Sequence, residues 1–294
     1  MSGLVPHLSQ SPAKAPARGA LDGADKRSPS WARRLGDCFR PRAELTAASR
    51  WTLSLLGVGL FFGAWLIATE GGLIQPFFLP SPIAVLSRLV AMITQEGFLV
   101  DIWASTFRVM SGFFLAAALA IPVGVLVGNF AAFRALIEPL LSTARYLPAS
   151  AFVPLMIIWL GINEEQKISV IFIGTFFPLA LLIADISASV SKDMLNSAYT
   201  LGASSRQLFF RVLIPACIPA IVDALRVTIG IAWTYVIVAE LVGADRGMGI
   251  AILQAQRFLL TDQVIAGIVC VGILGVLTDF AFRFAHRKLF PYMY

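Results

Sequence analysis

Three arginines stand where an arginine is expensive. Arg226 lies about ten residues into a long apolar block, where a guanidinium is costly unless it is paired or near water. So placed, it could hold an anion. The local alternative is an ion pair with Asp223, three residues earlier on the same helical side, with the head group drawn toward the aqueous edge. Both readings stay open. Arg145 and Arg108 share the anion-contact reading, and either could instead mark an interface. Other chemistry is sparse. Cys38, Cys217 and Cys270 are scattered and offer neither a disulfide framework nor metal-ligand spacing, and His7 and His286 both lie outside the apolar blocks. Asp185 and Asp279 fall near block ends and read as solvated boundaries. Glu240 and Asp245 lie just beyond a block, on a solvated face or facing a partner. No set of carboxylates or nucleophiles suggests a covalent reaction. The glycines from Gly243 to Gly249 read as a turn, because no Gly-x4-Gly-Lys-Ser/Thr loop follows a strand anywhere in the chain.

The elements that position these residues follow from composition. Hydrophobic residues make up 58% of the chain, charged residues only 14%, and mean hydropathy is +0.80. That leaves too little polar surface for a water-soluble globule of 294 residues. The apolar residues come in blocks at about 51–69, 104–128, 137–160, 168–184, 217–239 and 264–280, each long enough to cross a bilayer's hydrocarbon core as a helix. The expected fold class is therefore all-α integral membrane, with about six transmembrane helices over 51–290. Pro122, Pro148, Pro154 and Pro178 interrupt the blocks, which is tolerable only where protein or water meets the freed carbonyls. Such breaks line a pathway or form packed kinks. Gly124 and Gly128 would let another helix approach closely, while Trp159 and Trp233 read as packing residues or interface anchors. Leu79-Pro80-Ser81-Pro82 opens an amphipathic segment through Met92 that reads as interfacial or re-entrant.

Residues 1–50 are rich in Ala, Pro, Ser, Gly and Arg and read as a flexible basic cytosolic tail, with a short interfacial helix near 31–39. The net charge of +6 reflects this tail and the polar edges of the blocks, which argues for membrane topology and against nucleic acid. With the N-terminus inside, sixteen of the 23 Lys and Arg fall on the cytosolic side and four outside. Both termini are then cytosolic.

Residues 187–211 are too polar to span yet keep a helical pattern. Met194, Leu195, Ala198 and Leu201 recur at helical spacing, Gly202 is placed to end the helix, and Ser204 with Gln207 makes a capping box for a second one. The pattern describes a helix-turn-helix outside the membrane, docked on another protein or packed back on its own bundle.

The run from Asn196, Ser197 and Ala198 through Gly202 to Val212, Ile214 and Pro215 resembles the cytoplasmic signature loop of permease subunits of bacterial ABC importers. That signature begins Glu-Ala-Ala, has a Gly four residues after its second Ala and closes Ile-x-Leu-Pro. Ala198, Gly202 and Pro215 match it, Val212 and Ile214 are conservative replacements, and Asn196 and Ser197 depart from it. Leu79-Pro80-Ser81-Pro82, the run from Arg108 to Phe113, Pro154-Leu155 with Trp159-Leu160-Gly161, and Ala239-Glu240-Leu241 before Gly247-Met248-Gly249 are similar to the branch that imports nitrate, sulfonates, taurine and bicarbonate.

The resemblance implies a type I ABC importer permease-like bundle in the bacterial inner membrane, working as a homodimer with two cytosolic ATP-binding subunits and an extracytoplasmic substrate-binding protein. No cofactor would be bound by this chain, and ATP and Mg would sit on the partner subunits. The loop 187–211 would couple those ATPases to the spans. Gly202 would permit its tight turn, Ala198 a close approach, and Pro215 a rigid start to the next helix. A secondary carrier, or a membrane scaffold that docks a cytosolic partner through the loop, remains the alternative.

Overall fold

The computed structural model describes residues 46–291. Most of the basic tail, and the short helix expected near 31–39, lie outside the described residues. Two compact units divide the chain, Met1–Gly63 and Ala64–Tyr294. Helix α1, Ala47–Glu70, starts inside the stretch read as tail, and its residues up to Gly63 are the described helical part of the first unit.

The second unit is built from helices in every regular element among the described residues. After Gly72, at φ +73°, the chain turns into α2, Pro82–Gln95. Ser81 caps α2 by accepting a hydrogen bond from the Ala84 N–H, and Pro82 takes a first-turn position where its missing N–H costs nothing. Val85, Leu89 and Met92 form the buried stripe of this amphipathic segment. Helix α3, Phe98–Asn129, then runs to α4, Ala131–Ala144. A break and a 3-10 turn, Ala149–Phe152, lead to α5, Val153–Leu160. The third span expected at 137–160 is thus an apolar pair bent by 88°. Pro148 stands at the break, whereas Pro154 sits in the first turn of α5 and starts that helix instead of interrupting it.

Helix α6, Glu164–Ala188, is followed by α7, Lys192–Thr200. Helix α8 then runs Ser205–Glu240 without a stop, with a π turn at Leu208–Leu213. The segment 241–247 leads into α9, Met248–Arg257, and the short apolar turn Phe258-Leu259-Leu260 leads into α10, Thr261–Leu289. Five helices are long and apolar enough to cross a bilayer (α1, α3, α6, α8 and α10), and the bent pair makes six spans if counted as one.

The α3–α6 packing centres the second unit. Side chains at Gly112, Gly124 and Gly128 would strike α6: a Cβ at Gly124 would lie 2.6 Å from the Ala180 carbonyl oxygen, and one at Gly128 would collide with Ser187 and Ala184. Close backbone approach takes the place of a hydrophobic driving force that lipid cannot supply. Two buried apolar clusters flank this seam. One joins α2, α3, α8, α9 and α10 around Phe113, Trp233 and Met248, and the other joins α3, α6 and α8 around Val127, Leu179 and Ile183. Trp233 packs as expected and donates its indole N–H to Thr278 at 3.2 Å, while Trp159 is 66% exposed.

Candidate functional site

One face of α3 carries Asp101, Ser105, Arg108 and Gly112 at helical spacing, and three of these four bond to other elements. Arg108 is 3% exposed. Its Nε and Nη2 grip both carboxylate oxygens of Glu164, at the start of α6, each at 2.6 Å. Its Nη1 donates to Glu240 Oε1, at the end of α8, at 2.7 Å, and to the Arg246 carbonyl at 2.7 Å. Glu240 is fully buried and also accepts from Ser105 Oγ and from the Gly249 N–H, both at 2.7 Å. Ser105 Oγ in turn accepts the Met248 N–H, and Asp101 accepts the Gly247 N–H at 2.8 Å. The outcome is a satisfied polar knot that ties α3, α6 and α8 to the segment entering α9, at the end of the spans remote from α7. Gly247 is required there twice over, because its φ is +134° and a Cβ would come 2.5 Å from Glu240 Cδ and 2.7 Å from Arg108 Nη1.

This knot corrects two expectations. Glu240 is neither on a solvated face nor facing a partner, because the 241–247 segment folds back over it. Arg108 commits four of its five N–H groups to two carboxylates and a carbonyl, so its charge is already paired and only one Nη2 N–H is left over, which disfavours the anion-contact reading. Sequence reasoning named both residues and missed their pairing, along with Glu164, Ser105 and Asp101. The signal was the polar spacing on α3, which says that a face is special without saying what meets it. Lys167, 2% exposed, donates to the Asn163 carbonyl at 3.1 Å and lies 3.9 Å from Glu164. The side chain of Gln166, buried beside it, makes no hydrogen bond among the described residues.

Arg226 is differently placed. Its Nε lies 3.6 Å from Asp223 and 3.7 Å from Asp279 on α10, ion-pair distances without a hydrogen bond, and its side chain is 28% exposed. The pair expected with Asp223 is present, joined by a second carboxylate that Arg283 also holds, at 2.6 Å. Arg145 is exposed at the break after α4, over the ring of Tyr146. The structure does not bring Arg226, Arg145 and Arg108 together into one site.

At the opposite end, α7 has no buried residue, and the turn behind it leaves Leu201 88% exposed. Gly202 takes φ +86°, and the Ser204–Gln207 capping box is complete. Asn196, Ser197, Ala198 and Gly202 belong to this projecting pair. Val212, Ile214 and Pro215 do not, since they lie at the π turn and just beyond it, where α8 is already running. Pro215 therefore opens no new helix. The Ile214 N–H bonds five residues back to the Phe209 carbonyl, a widened turn that leads into the residue lacking an N–H. No group of three or more His, Cys, Asp or Glu suited to a metal occurs among the described residues.

The chain belongs to the family described as binding-protein-dependent transport system inner membrane component, which matches residues 120–291. It is 38% identical over 237 residues to a probable ABC transporter permease protein of Brucella melitensis, covering 81% of this chain and 95% of that one. The taurine transport system permease protein TauC of Escherichia coli is 35% identical over 246 residues, covering 82% and 90%. The nitrate import permease protein NrtB of Synechocystis is 31% identical over 245 residues, covering 80% and 88%. Among solved structures, an inward-facing MetNI methionine ABC transporter aligns with a TM-score of 0.58 at 21% identity, over 65% of this chain and 95% of that one. That likeness shows the type I importer permease fold.

Proposed function

We propose that this chain is the permease subunit of an ATP-driven importer for a small anion such as nitrate, a sulfonate, taurine or bicarbonate. It works as a homodimer with two cytosolic ATP-binding subunits and an extracytoplasmic binding protein, with both termini cytosolic. The carrying observation is the projecting pair from Lys192 to Gln207. A nine-residue helix with nothing buried is not stable on its own account, and an 88% exposed Leu201 at its end is suited to a partner's groove. Because α8 continues from this pair to Glu240, a push on the pair is delivered along one helix to the Arg108 knot. The printed names of the relatives support the substrate class. Arg226, partly buried and loosely paired, remains the better path cation, and Arg145 stands at the break of the bent pair.

Gly202→Val tests the coupling role. Open space surrounds Gly202, so the variant meets no clash and suffers only the left-handed backbone, about 1–2 kcal/mol. The expected outcome is loss of co-purifying ATP-binding subunit and of uptake, with the permease's own thermal midpoint little changed. Intact assembly and uptake together would overturn the coupling assignment.

A further inference from the structure

Between the second half of α3 and the first half of α8 the two helices part, leaving a cleft of about 470 Å³ with a wholly apolar lining. Ile121, Val125, Phe209, Phe210, Ile218 and Val222 form its walls. An apolar cleft at membrane depth takes hydrocarbon from any lipid, so by itself it selects nothing. The selective feature lies next to it. A second hollow of about 380 Å³, lined by Arg206, Gln207, Phe210 and Arg211, adjoins the first through the shared Phe210 ring. Both arginines are exposed, and no carboxylate among the described residues pairs with either. Residues five apart diverge around an α-helix. The wider π turn, Leu208–Leu213, begins between Arg206 and Arg211 and turns the chain less per residue, so both residues come to line one hollow.

We propose that this is an anionic phospholipid site, with an acyl chain in the apolar cleft and the headgroup phosphate between Arg206 and Arg211. Guanidiniums match phosphate oxygens with paired donors, and an apolar slot ending at two unpaired cations fits one lipid of that charge better than a soluble anion. Under the orientation given above, the site opens to the cytosolic leaflet, where anionic lipids attract basic residues.

The test uses the full chain, delipidated in detergent and equilibrated with vesicles of equal phosphatidylglycerol and phosphatidylcholine bearing identical acyl chains, followed by mass spectrometry of the retained lipid. Both lipids carry the phosphate, but the choline ammonium of phosphatidylcholine cancels its charge; each arginine near a net-anionic headgroup is worth about fivefold, so phosphatidylglycerol should be retained roughly 30-fold over phosphatidylcholine. R206Q/R211Q should erase that preference while still holding lipid. I218W, which fills the cleft, should lower retention of both lipids. Equal retention by the wild-type chain, or a preference that survives R206Q/R211Q, overturns the proposal. So does protection of both arginines by an ATP-binding subunit or a second copy with no lipid retained. The permease reading fails separately, through Gly202→Val.

Discussion

Arg108 and Arg226 are both arginines inside apolar blocks, and the difference between them is how completely they are paired. Arg108 holds two carboxylates and a carbonyl at hydrogen-bonding distance in a site with almost no exposure. Removing it strands the fully buried Glu240 beside the polar groups that remain. Breaking a buried pair from one side costs about 3–5 kcal/mol, so Arg108→Met should sharply lower the thermal midpoint and the folded fraction in detergent. Glu164 is half-exposed, and its loss leaves Arg108 paired with Glu240. Glu164→Gln should therefore be milder than Arg108→Met in the same melt, and an equal drop would refute the distinction. Arg226→Gln should behave in the opposite sense. Its ion pairs are long and partly solvated, worth about 1 kcal/mol or less, so folding should hold while anion uptake per folded molecule falls. A destabilised variant with normal uptake would make Arg226 structural.

Helices α3 and α6 meet through glycines, and the geometry ranks them. Gly124 faces the Ala180 carbonyl and Ile183 at distances no Cβ accepts, whereas Gly272 on α10 has nothing within 4 Å. Overpacking costs about 1–3 kcal/mol, so Gly124→Ala should lower the thermal midpoint. Gly272→Ala should be neutral or raise it, by up to about 1 kcal/mol of helix propensity. Element starts were legible in the sequence where a side chain caps locally, as with Ser81 and the Ser204–Gln207 box. Helix lengths were not. α3 begins before the apolar block does and α10 runs past it to Leu289, because a hydropathy pattern marks membrane depth while the helix continues into polar surroundings. The 88° bend after α4 was equally hidden: a proline shows that a helix can break, but packing sets the angle.

At the scale of the whole molecule, the proposed topology has α7 and the C-terminus on the cytosolic side and the Arg108 knot on the other, and it is directly testable. With Cys38→Ser as background, Leu201→Cys should react with a membrane-impermeant maleimide only in inverted vesicles, and Leu259→Cys only in right-side-out cells. Both side chains are exposed in the chain alone, at 88% and 67%, and the chain is expressed without its ATP-binding subunit so that no partner's groove shields Leu201. The opposite labelling pattern would reverse the topology. Remote ends of α8 then carry the two features of the permease, a projecting pair at one and the charge knot at the other, and rigid continuity of a single helix is what links them.

By itself, the sequence determined that this chain lives in a bilayer as about six helices, that a polar helical pair interrupts them, and where Gly202 and the Ser204–Gln207 box shape that pair. Those properties depend on hydropathy, period and caps, each written within a few residues. Only the tertiary structure decided what Arg108, Glu164 and Glu240 are for, that Pro215 continues a helix instead of opening one, and that Arg206 and Arg211 face a common hollow. The physical reason is range. Arg108 and its partners are separated by 56 and 132 residues, and whether a charge is exposed, paired or free is settled by what folds against it.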